Sequence, residues 1–376
     1  DGATPGAADA RMVHALTLGA EAAAELVFVD GRYAPELSRT AADDVVVSSL
    51  AEALERAPAT VEPHLFRIAG ADNVFGDLNA ALATDGAVVV VPERSVVGLP
   101  IHLLYLSTGN GTGPARMAHV RTLVLAGRGS QSSLVQTWAG AEGARYLTTA
   151  ATEVLLEEGA IVDHYRLQQE SVAAFHVSSL HARQGRGSRF TDHGLLLGAA
   201  LSRNDATVIL DGEGAECALD GLFLAGGAQH VDAHTVIDHA RPHCTSRELY
   251  NGVLDGKARG VFHGRIVVRP DAQKTSAHQA NHNLLLSREA LVNSTPALEI
   301  HADDVRCKHG STTGQLDPQS LFYLRSRGIG EELARAMLVY AFAADVIGRV
   351  GAPAVRARLQ SLLAGRLAGA PGEALS

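Results

Sequence analysis

Cysteine is scarce in this sequence: the chain has three cysteines among 376 residues, and they lie far apart. A disulfide framework is therefore excluded, and the cysteine usage fits a reducing cytoplasm. The net charge of −9 and the lack of a basic stripe argue against nucleic-acid binding. The longest apolar window, residues 86–106, contains Pro92, Glu93, Arg94 and Pro100, so it is not expected to span a membrane.

Several catalytic motifs are also missing. The sequence has no phosphate-binding loop, no dinucleotide fingerprint after a strand and no nucleophile elbow. The nearest approach to a phosphate loop, GVLDGKA at residues 252–258, has one residue too few between its glycines, and Ala258 stands where the loop needs a hydroxyl. Nucleotide hydrolysis and serine-hydrolase chemistry are therefore not expected in this chain.

The pattern of apolar residues divides the chain into three parts. Residues 1–94 mix short helical patterns with strand patterns. Residues 95–316 repeat a unit of aliphatic residues, polar residues and a glycine, followed by a second β-rich run, which predicts an all-β unit. The spacing between units is uneven, so a sandwich, a propeller and a parallel β-helix all fit the pattern. Residues 317–376 are predicted to be helical.

The C-terminal part has clear helix signals. Asp317–Pro318 is a good cap and first-turn pair, and Gly328 predicts a helix end. The next helical run, residues 329–350, has an apolar stripe that includes Met337 and Tyr340. Because a helical tail on a β core cannot bury both of its faces there, we expect this part to be a docking element.

Histidines concentrate in the segment QHVDAHTVIDHARPHC. On a strand, His230, Asp232 and His234 share one face, and this spacing could hold a metal. His278 and His282 have the same spacing. The alternation of polar with apolar residues favours the other interpretation, an ordinary solvated face of a sheet, and these spacings do not make a four-ligand zinc pattern.

One cysteine has a different setting from the other two, which are expected to be buried and inert. Cys307 shares its strand face with His309, and Asp303 and Asp304 are close in sequence. A thiolate with an imidazole suits a soft or borderline metal such as iron, zinc or copper(I). Two ligands make half a site, so a metal would need further ligands from elsewhere in the fold or from another chain; simple packing is the alternative role.

Long stretches of the second half are specific enough to compare with a known family. The stretches Gly256–Ser287 and Pro296–Ile329, with the earlier patches LVFVDGRYAPELS and TSRELYNGVLDGKARG, resemble the SufB/SufD family of iron–sulfur cluster assembly proteins. The similarity runs from about Leu26 to Val350. SufB typically has Glu-His-Glu where this chain has CKHG, and a cysteine where it has Leu324, so the chain resembles the SufD branch; a SufB-like paralogue is the alternative.

The resemblance implies a fold, a site and partners. It implies a right-handed parallel β-helix for the middle of the chain, and pairing with SufB across the β-helix edge. Cys307 and His309 would then face SufB and hold iron or a nascent iron–sulfur cluster, while Lys308 would point to the opposite face of its strand. Without SufB, a homodimer through the same edge is expected.

The resemblance also implies that the C-terminal helical unit docks the ATPase SufC, which would hydrolyse ATP for a chain that is not itself an enzyme. No cofactor is expected to bind tightly to the chain alone, although the family complex is thought to use a reduced flavin. The residues expected to contact SufC are Phe322, Tyr323, Arg325, Arg327, Gly328, Met337 and Tyr340.

The sequence departs from the family in one respect. SufD proteins usually begin with a helical segment that carries a Trp-[Lys/Arg]-Tyr-Thr signature, whereas the only tryptophan here is Trp138 and the first residue is Asp1. These features favour an N-terminally truncated piece.

Two unrelated functions are alternatives to the one that the resemblance implies. A carbohydrate-active β-helix enzyme needs paired carboxylates, but Asp303 and Asp304 are adjacent and would point to opposite faces. A metallohydrolase could use the cluster from His230 to His243, and it predicts tightly bound zinc in the isolated chain.

Overall fold

The computed structural model describes residues 7–40, 42, 44–68, 74–109 and 116–367. Short helices and strands alternate in the first part of the chain. In chain order they are α1 (Ala7–Leu16), β1 (Ala24–Val29), β2 (Arg32–Tyr33), β3 (Val46–Ser49), α2 (Leu50–Arg56), α3 (Pro58–Val61), α4 (Val74–Leu82) and β4 (Asp85–Val91).

A long run of strands follows, and helices end the described chain. The strands are β5 (Ile101–Ser107), β6 (Arg116–Ala126), β7 (Gln131–Gly140), β8 (Tyr146–Leu156), β9 (Ile161–Gln169), β10 (Phe175–Gln184), β11 (Arg189–Leu196), β12 (Leu201–Leu210), β13 (Glu216–Ala225), β14 (His230–His239), β15 (Thr245–Leu254), β16 (Arg259–Val268), β17 (Ser276–Leu285), β18 (Leu291–Ile300) and β19 (Arg306–Gly314). The helices are α5 (Pro318–Ser326), α6 (Glu331–Ile347) and α7 (Pro353–Leu367). Among the described residues, no helix is long and apolar enough to cross a bilayer.

The chain visits two sheets alternately. Sheet A has the order β19-β17-β15-β13-β11-β9-β7-β5-β1-β2, and sheet B has the order β18-β16-β14-β12-β10-β8-β6-β4-β3. From β5 and β6 onward, neighbouring strands in each sheet pair in parallel. Each passage through both sheets therefore adds one turn to a parallel β-solenoid. This result confirms the β-helix and, of the three architectures that the pattern allowed, excludes the sandwich and the propeller.

Glycine turns between the strands explain the glycine that recurs in the sequence unit. Gly214 and Gly256 have φ angles of +70° and +63°, in the region where a side chain is strained. At Gly256, a Cβ atom would also lie 3.1 Å from the backbone of Gly227 in the preceding turn. Stacked turns therefore come too close together for a larger residue at this position.

The inward faces of both sheets form one core, which is apolar over most of its length but also holds buried charges. The Arg166 guanidinium donates to both carboxylate oxygens of Asp192 at 2.9 and 2.6 Å, and His164 Nδ1 lies 2.9 Å from the same carboxylate. Burial alone would raise the pKa of Asp192, but Arg166 and His164 outweigh it and hold that pKa well below its ordinary value. The buried charge is thus paired, as the low dielectric of the core requires.

The outer face of sheet A is covered by the C-terminal helices. Buried residues of α6 and α7, such as Ala343 and Leu359, pack against outward-facing leucines of the solenoid. Polar contacts fix the same interface: Asn251 Nδ2 donates to the Phe342 carbonyl at 3.1 Å, and the Ala352 amide donates to the Tyr165 hydroxyl at 3.2 Å. The helical unit is therefore joined to the solenoid over several strands.

The local predictions agree with these elements. The β1–β2 hairpin turns at Asp30–Gly31. The side chain of Asp317 caps α5 by accepting from the amides of Gln319 and Ser320, and Gly328 has a φ of +86° just after that helix. Strands β1 and β4 precede residue 95 and already pair in parallel with the solenoid strands β5 and β6. The division of the chain into three domains stays a prediction.

Candidate metal-binding and partner site at the open end of the solenoid

The solenoid ends with two long strands that each have a strand neighbour on one side. In the described part of the chain, β19 pairs with β17 and β18 pairs with β16. The two end strands face each other across the core, where Ser311 Oγ lies 2.8 Å from Ser294 Oγ. The outer backbone groups of such strands are a template for strand addition by another chain. We call this end of the molecule the open end.

Cys307 and His309 lie on the inward face of β19. They pair in register with Ala277 and Gln279, which are both buried inside the solenoid. Lys308, between them, pairs with His278 on the outer face. The two-residue spacing therefore places the thiol and the imidazole together over the last turn of the core.

The two candidate ligands differ in their surroundings. Cys307 is half-buried and packs against the end of the apolar core, whereas His309 is exposed. Burial raises the pKa of the Cys307 thiol, so at neutral pH this group is protonated. A soft metal ion that binds here must displace that proton, and its binding should weaken as the pH falls.

The neighbouring aspartates do not complete the site. Asp304 forms an ion pair with Lys274, and its amide donates to Gln273 Oε1 at 2.9 Å. The described residues contain no group of three or more histidine, cysteine, aspartate or glutamate side chains that could hold a metal. Cys307 and His309 are therefore two donors that need further ligands from outside the described chain.

The histidine-rich segment is divided between the two faces of β14. The partly buried residues His230, Asp232 and His234 point outward. Asp232 Oδ1 lies 2.8 Å from His234 Nε2, and Asp232 Oδ2 accepts from Arg203 at 2.9 Å. His239 points inward and lies 2.8 Å from Ser246 Oγ. Asp232 is thus held in contact with His234 and Arg203, and the sequence-based preference for an ordinary solvated face stays a prediction.

The second histidine pair lies on the outer face of β17. Neither side chain is buried, and His282 Nδ1 is 2.8 Å from Thr312 Oγ1 on β19. The hydrogen bond ties the outer surfaces of the last two strands of sheet A together. His278 lies on the same face four residues before His282, and it pairs in register with Lys308.

The residues predicted to dock SufC differ in their exposure. Phe322 and Tyr323 of α5 are 74% and 57% exposed, and with Pro318 and Ser326 they line a shallow apolar depression. Met337 and Tyr340 of α6 are partly buried, and Tyr340 packs against the cluster that joins the helices to sheet A.

The remaining docking candidates lie at or near the turn between α5 and α6. The Arg327 guanidinium lies 5.1 Å from the ring centre of Tyr323, and Arg325 pairs with Glu331 at 3.1 Å. Gly328, with its positive φ, reverses the chain between the helices. The exposed aromatic side chains of α5 thus lie beside the cationic side chain of Arg327.

Sequence reasoning missed the polar lining of the core at the open end. The inward residues of β17 are Ala277, Gln279, Asn281, Asn283 and Leu285, and the three amides among them are buried. The signal was present, because AHQANHN alternates like a strand yet carries polar side chains on both sets of alternate positions, amides on one and histidines on the other. Alternation alone does not tell which set is buried.

Comparison with known proteins agrees with this architecture. A family model for the SufBD core domain of the SUF system of FeS cluster assembly matches residues 107–342, and a model for the SufBD N-terminal region matches residues 21–103. A SufBD family iron–sulfur cluster assembly protein of Synechocystis is 32% identical, over 91% of this chain and 77% of its own length.

Two further relatives place the chain more closely. The iron–sulfur cluster assembly protein SufD of Escherichia coli is 30% identical, over 85% of this chain and 74% of its own length. The chloroplast protein ABCI7 of Arabidopsis thaliana is 32% identical, over 73% of this chain and 59% of its own length. The chain therefore belongs to the SufBD family of iron–sulfur cluster assembly proteins and is a homologue of SufD.

Proposed function

We propose that this chain is the non-catalytic SufD-type subunit of a cytoplasmic SufBCD scaffold. In this role it pairs with SufB through its open end, docks SufC through its C-terminal helices, and contributes Cys307 and His309 to a site for iron or a nascent cluster. The observation that carries the proposal is the position of these two donors, on the inward face of an edge strand that lacks further ligands of its own.

The chemistry of the site supports a shared role. Iron and sulfide are cargo here, and a thiolate with an imidazole can hold soft or borderline ions. SufB would supply the missing ligands when its own sheet continues β18 and β19. Without SufB, the same edge is available to a second copy of this chain. A reduced flavin would supply electrons within the complex rather than to the isolated chain.

The packing of the helices suggests how SufC acts on the site. SufC would hydrolyse ATP and move against the exposed aromatic residues Phe322 and Tyr323. That motion would reach the solenoid through α6, since Asn251 of β15 is hydrogen-bonded to the Phe342 carbonyl. Strand β15 is separated from β19 only by β17 in sheet A. A shift of the helical unit would therefore open or close the contact with SufB at Cys307 and His309.

The first test is co-expression of this chain with SufB and SufC from the same source, with a purification tag on this chain alone. We expect both partners to be retained in a stable ratio. If the chain is soluble and folded but retains neither partner, the proposed role is wrong. Metal analysis of the lone chain would then test the metallohydrolase function, which requires tightly bound zinc.

The second test separates a ligand role from a packing role. In the purified complex, His309→Ala should abolish cluster formation while assembly with SufB and SufC survives. Lys308→Ala is the matched control, because this residue lies on the same strand with its side chain on the other face. If His309→Ala forms clusters at the rate of the unchanged complex, the chain is only a structural mate of SufB.

A further inference from the structure

The polar lining at the open end contains a row of three side chains that leads to His309. Glu248 on β15, Gln279 on β17 and His309 on β19 occupy the same position on successive strands of sheet A. All three lie on the inward face. Adjacent strands are separated by about 4.8 Å, so each side chain in the row can reach the next one.

The Gln279 amide is held in a defined place inside the core. Gln279 is fully buried, and its Nε2 donates to Glu248 Oε2 at 2.6 Å. On the opposite sheet, Gly264 leaves room for the same nitrogen, because a Cβ at residue 264 would lie 2.3 Å from Nε2. These two contacts fix the position of Nε2, so Oε1 points away from Glu248 and Gly264.

The oxygen of this amide has no donor. Gln279 Oε1 is buried and has no hydrogen-bond partner in the described part of the chain. A buried acceptor without a donor destabilises the fold, so a donor within reach would be strongly favoured. The next inward residue along the row is His309, whose ring can donate an N–H.

The neighbouring row shows that β19 side chains do join this lining. Asn281 Oδ1 accepts from Ser294 Oγ at 2.7 Å, and Ser294 in turn contacts Ser311 of β19 at 2.8 Å. Asn281 Nδ2 donates to the Tyr250 carbonyl at 2.9 Å. An inward residue of the edge strand is thus already linked to a buried amide two positions along from Gln279.

We propose that Gln279 is a positioning residue for His309: when the exposed imidazole turns toward the core, Gln279 Oε1 accepts its N–H, and Glu248 keeps the amide in the orientation that makes this possible. The bonded ring nitrogen then carries the proton, and the other nitrogen presents its lone pair to the open end. Such outer contacts fix the tautomer and direction of a ligand histidine. The inference rests on the proposed ligand role of His309.

The direct test is the tautomer of His309 in the isolated, metal-free chain, measured by a two-bond proton–nitrogen correlation spectrum of protein labelled with ¹⁵N-histidine. The His309 signals are assigned by their loss in His309→Ala. We expect one tautomer to dominate in the unchanged chain and a mixture in Gln279→Leu. Gln279→Asn, which shortens the side chain but keeps it polar, should give the same mixture if Gln279→Leu does not fold.

Rescue distinguishes positioning from general packing. Glu248→Gln keeps an acceptor for Gln279 Nε2, so it should retain the dominant tautomer, whereas Glu248→Leu should lose it. In the complex with SufB, Gln279→Leu should reduce retained iron about 10-fold, the lower end of the effect of outer-shell contacts.

The outcomes separate this inference from the proposed function. A tautomer ratio that is the same in the unchanged chain, Gln279→Leu and Gln279→Asn would overturn the positioning role, whatever the complex does. A ratio that responds to Gln279, combined with iron retention that His309→Ala leaves intact, would support the contact and reject the ligand role of His309.

Discussion

The two ends of the solenoid are built differently. At the N-terminal end, sheet A finishes with the two-residue strand β2 and sheet B with the four-residue strand β3, and both pair antiparallel to their neighbours. At the C-terminal end, the last strands are β18, with ten residues, and β19, with nine. Short, reversed edge strands discourage further pairing, while long, straight ones invite it. The strands at the N-terminal end therefore discourage the addition of further strands, and those at the open end favour it.

The two ends of the solenoid also differ in the polarity of their inward side chains. Near the N-terminal end the core contains Leu26, Phe28 and Leu103, all fully buried. Near the other end, the inward face of sheet A carries Glu248 and Gln279, which are buried as well. An apolar end stabilises the fold by its own packing, whereas the polar end places donors and acceptors directly beneath its last strands.

The largest expected effect tests this difference through stability. Phe28→Ala should lower the free energy of unfolding by about 3–5 kcal/mol, because it opens a cavity in a fully buried site. Cys307→Ala should change it by less than about 1 kcal/mol. Chemical denaturation of the isolated chain measures both. Equal losses would show that the open end is as important to the fold as the capped one.

A second test uses the acidic group in the polar interior. Burial raises the pKa of Glu248 to about 7 from 4.5, so the folded chain holds a proton that the unfolded chain releases. Its contribution is thus most favourable below pH 4.5 and is lost as the pH rises to about 7. Between pH 4.5 and about 7, the unchanged chain should therefore lose up to about 3 kcal/mol of its free energy of unfolding relative to Glu248→Gln.

The difference between the free energies of unfolding of the unchanged chain and of Glu248→Gln isolates the contribution of Glu248. Burial lowers the pKa values of His193 and His239 to about 4, so they favour folding as the pH rises and would mask the effect of Glu248 in a single profile. Both histidines are present in both proteins, so their contributions cancel. A difference that does not change with pH would mean that Glu248 is ionised in the folded chain throughout.

A third test asks whether the open end carries all of the association. Phe322→Asp places a charge on the exposed aromatic surface of α5 and should weaken retention of SufC by about 2 kcal/mol, or ~30-fold. Retention of SufB should not change. Val172→Asp is the control, since Val172 is 57% exposed in the turn between β9 and β10. Loss of SufB in Phe322→Asp would show that the two contacts are not separate.

Much of the fold follows from local sequence. The alternating runs, the glycine turns and the cap at Asp317 each depend on a few neighbouring residues, and each is present in the structure. The same period of two placed Cys307 and His309 on one face and Lys308 on the other. What the pattern did not contain was the pairing between strands that are a whole turn apart. For that reason the family resemblance was needed to select the solenoid.

There is a physical reason why the sequence did not predict the buried amides at the open end. Gln279 and Asn281 are typical surface residues, and nothing in their own strand shows that a second sheet covers them. Their burial depends on β16 and β18 of the opposite sheet, and the alternation of β17 does not show on which of its faces that sheet packs. Similarly, Tyr340 belongs to an apolar stripe in sequence, but the structure uses it in part to hold α6 on sheet A, whereas the exposed aromatic residues lie on the shorter helix before it.

The short reversed strand β2 at the far end has a consequence for stoichiometry. A stack that could grow at both ends would add subunits without limit and form filaments. With growth confined to one end, the addition of a single partner uses the surface that would otherwise accept another. In the proposed pairing, two such molecules placed end to end would make a closed unit, and its size would be set by the fold of each chain, even at high concentration.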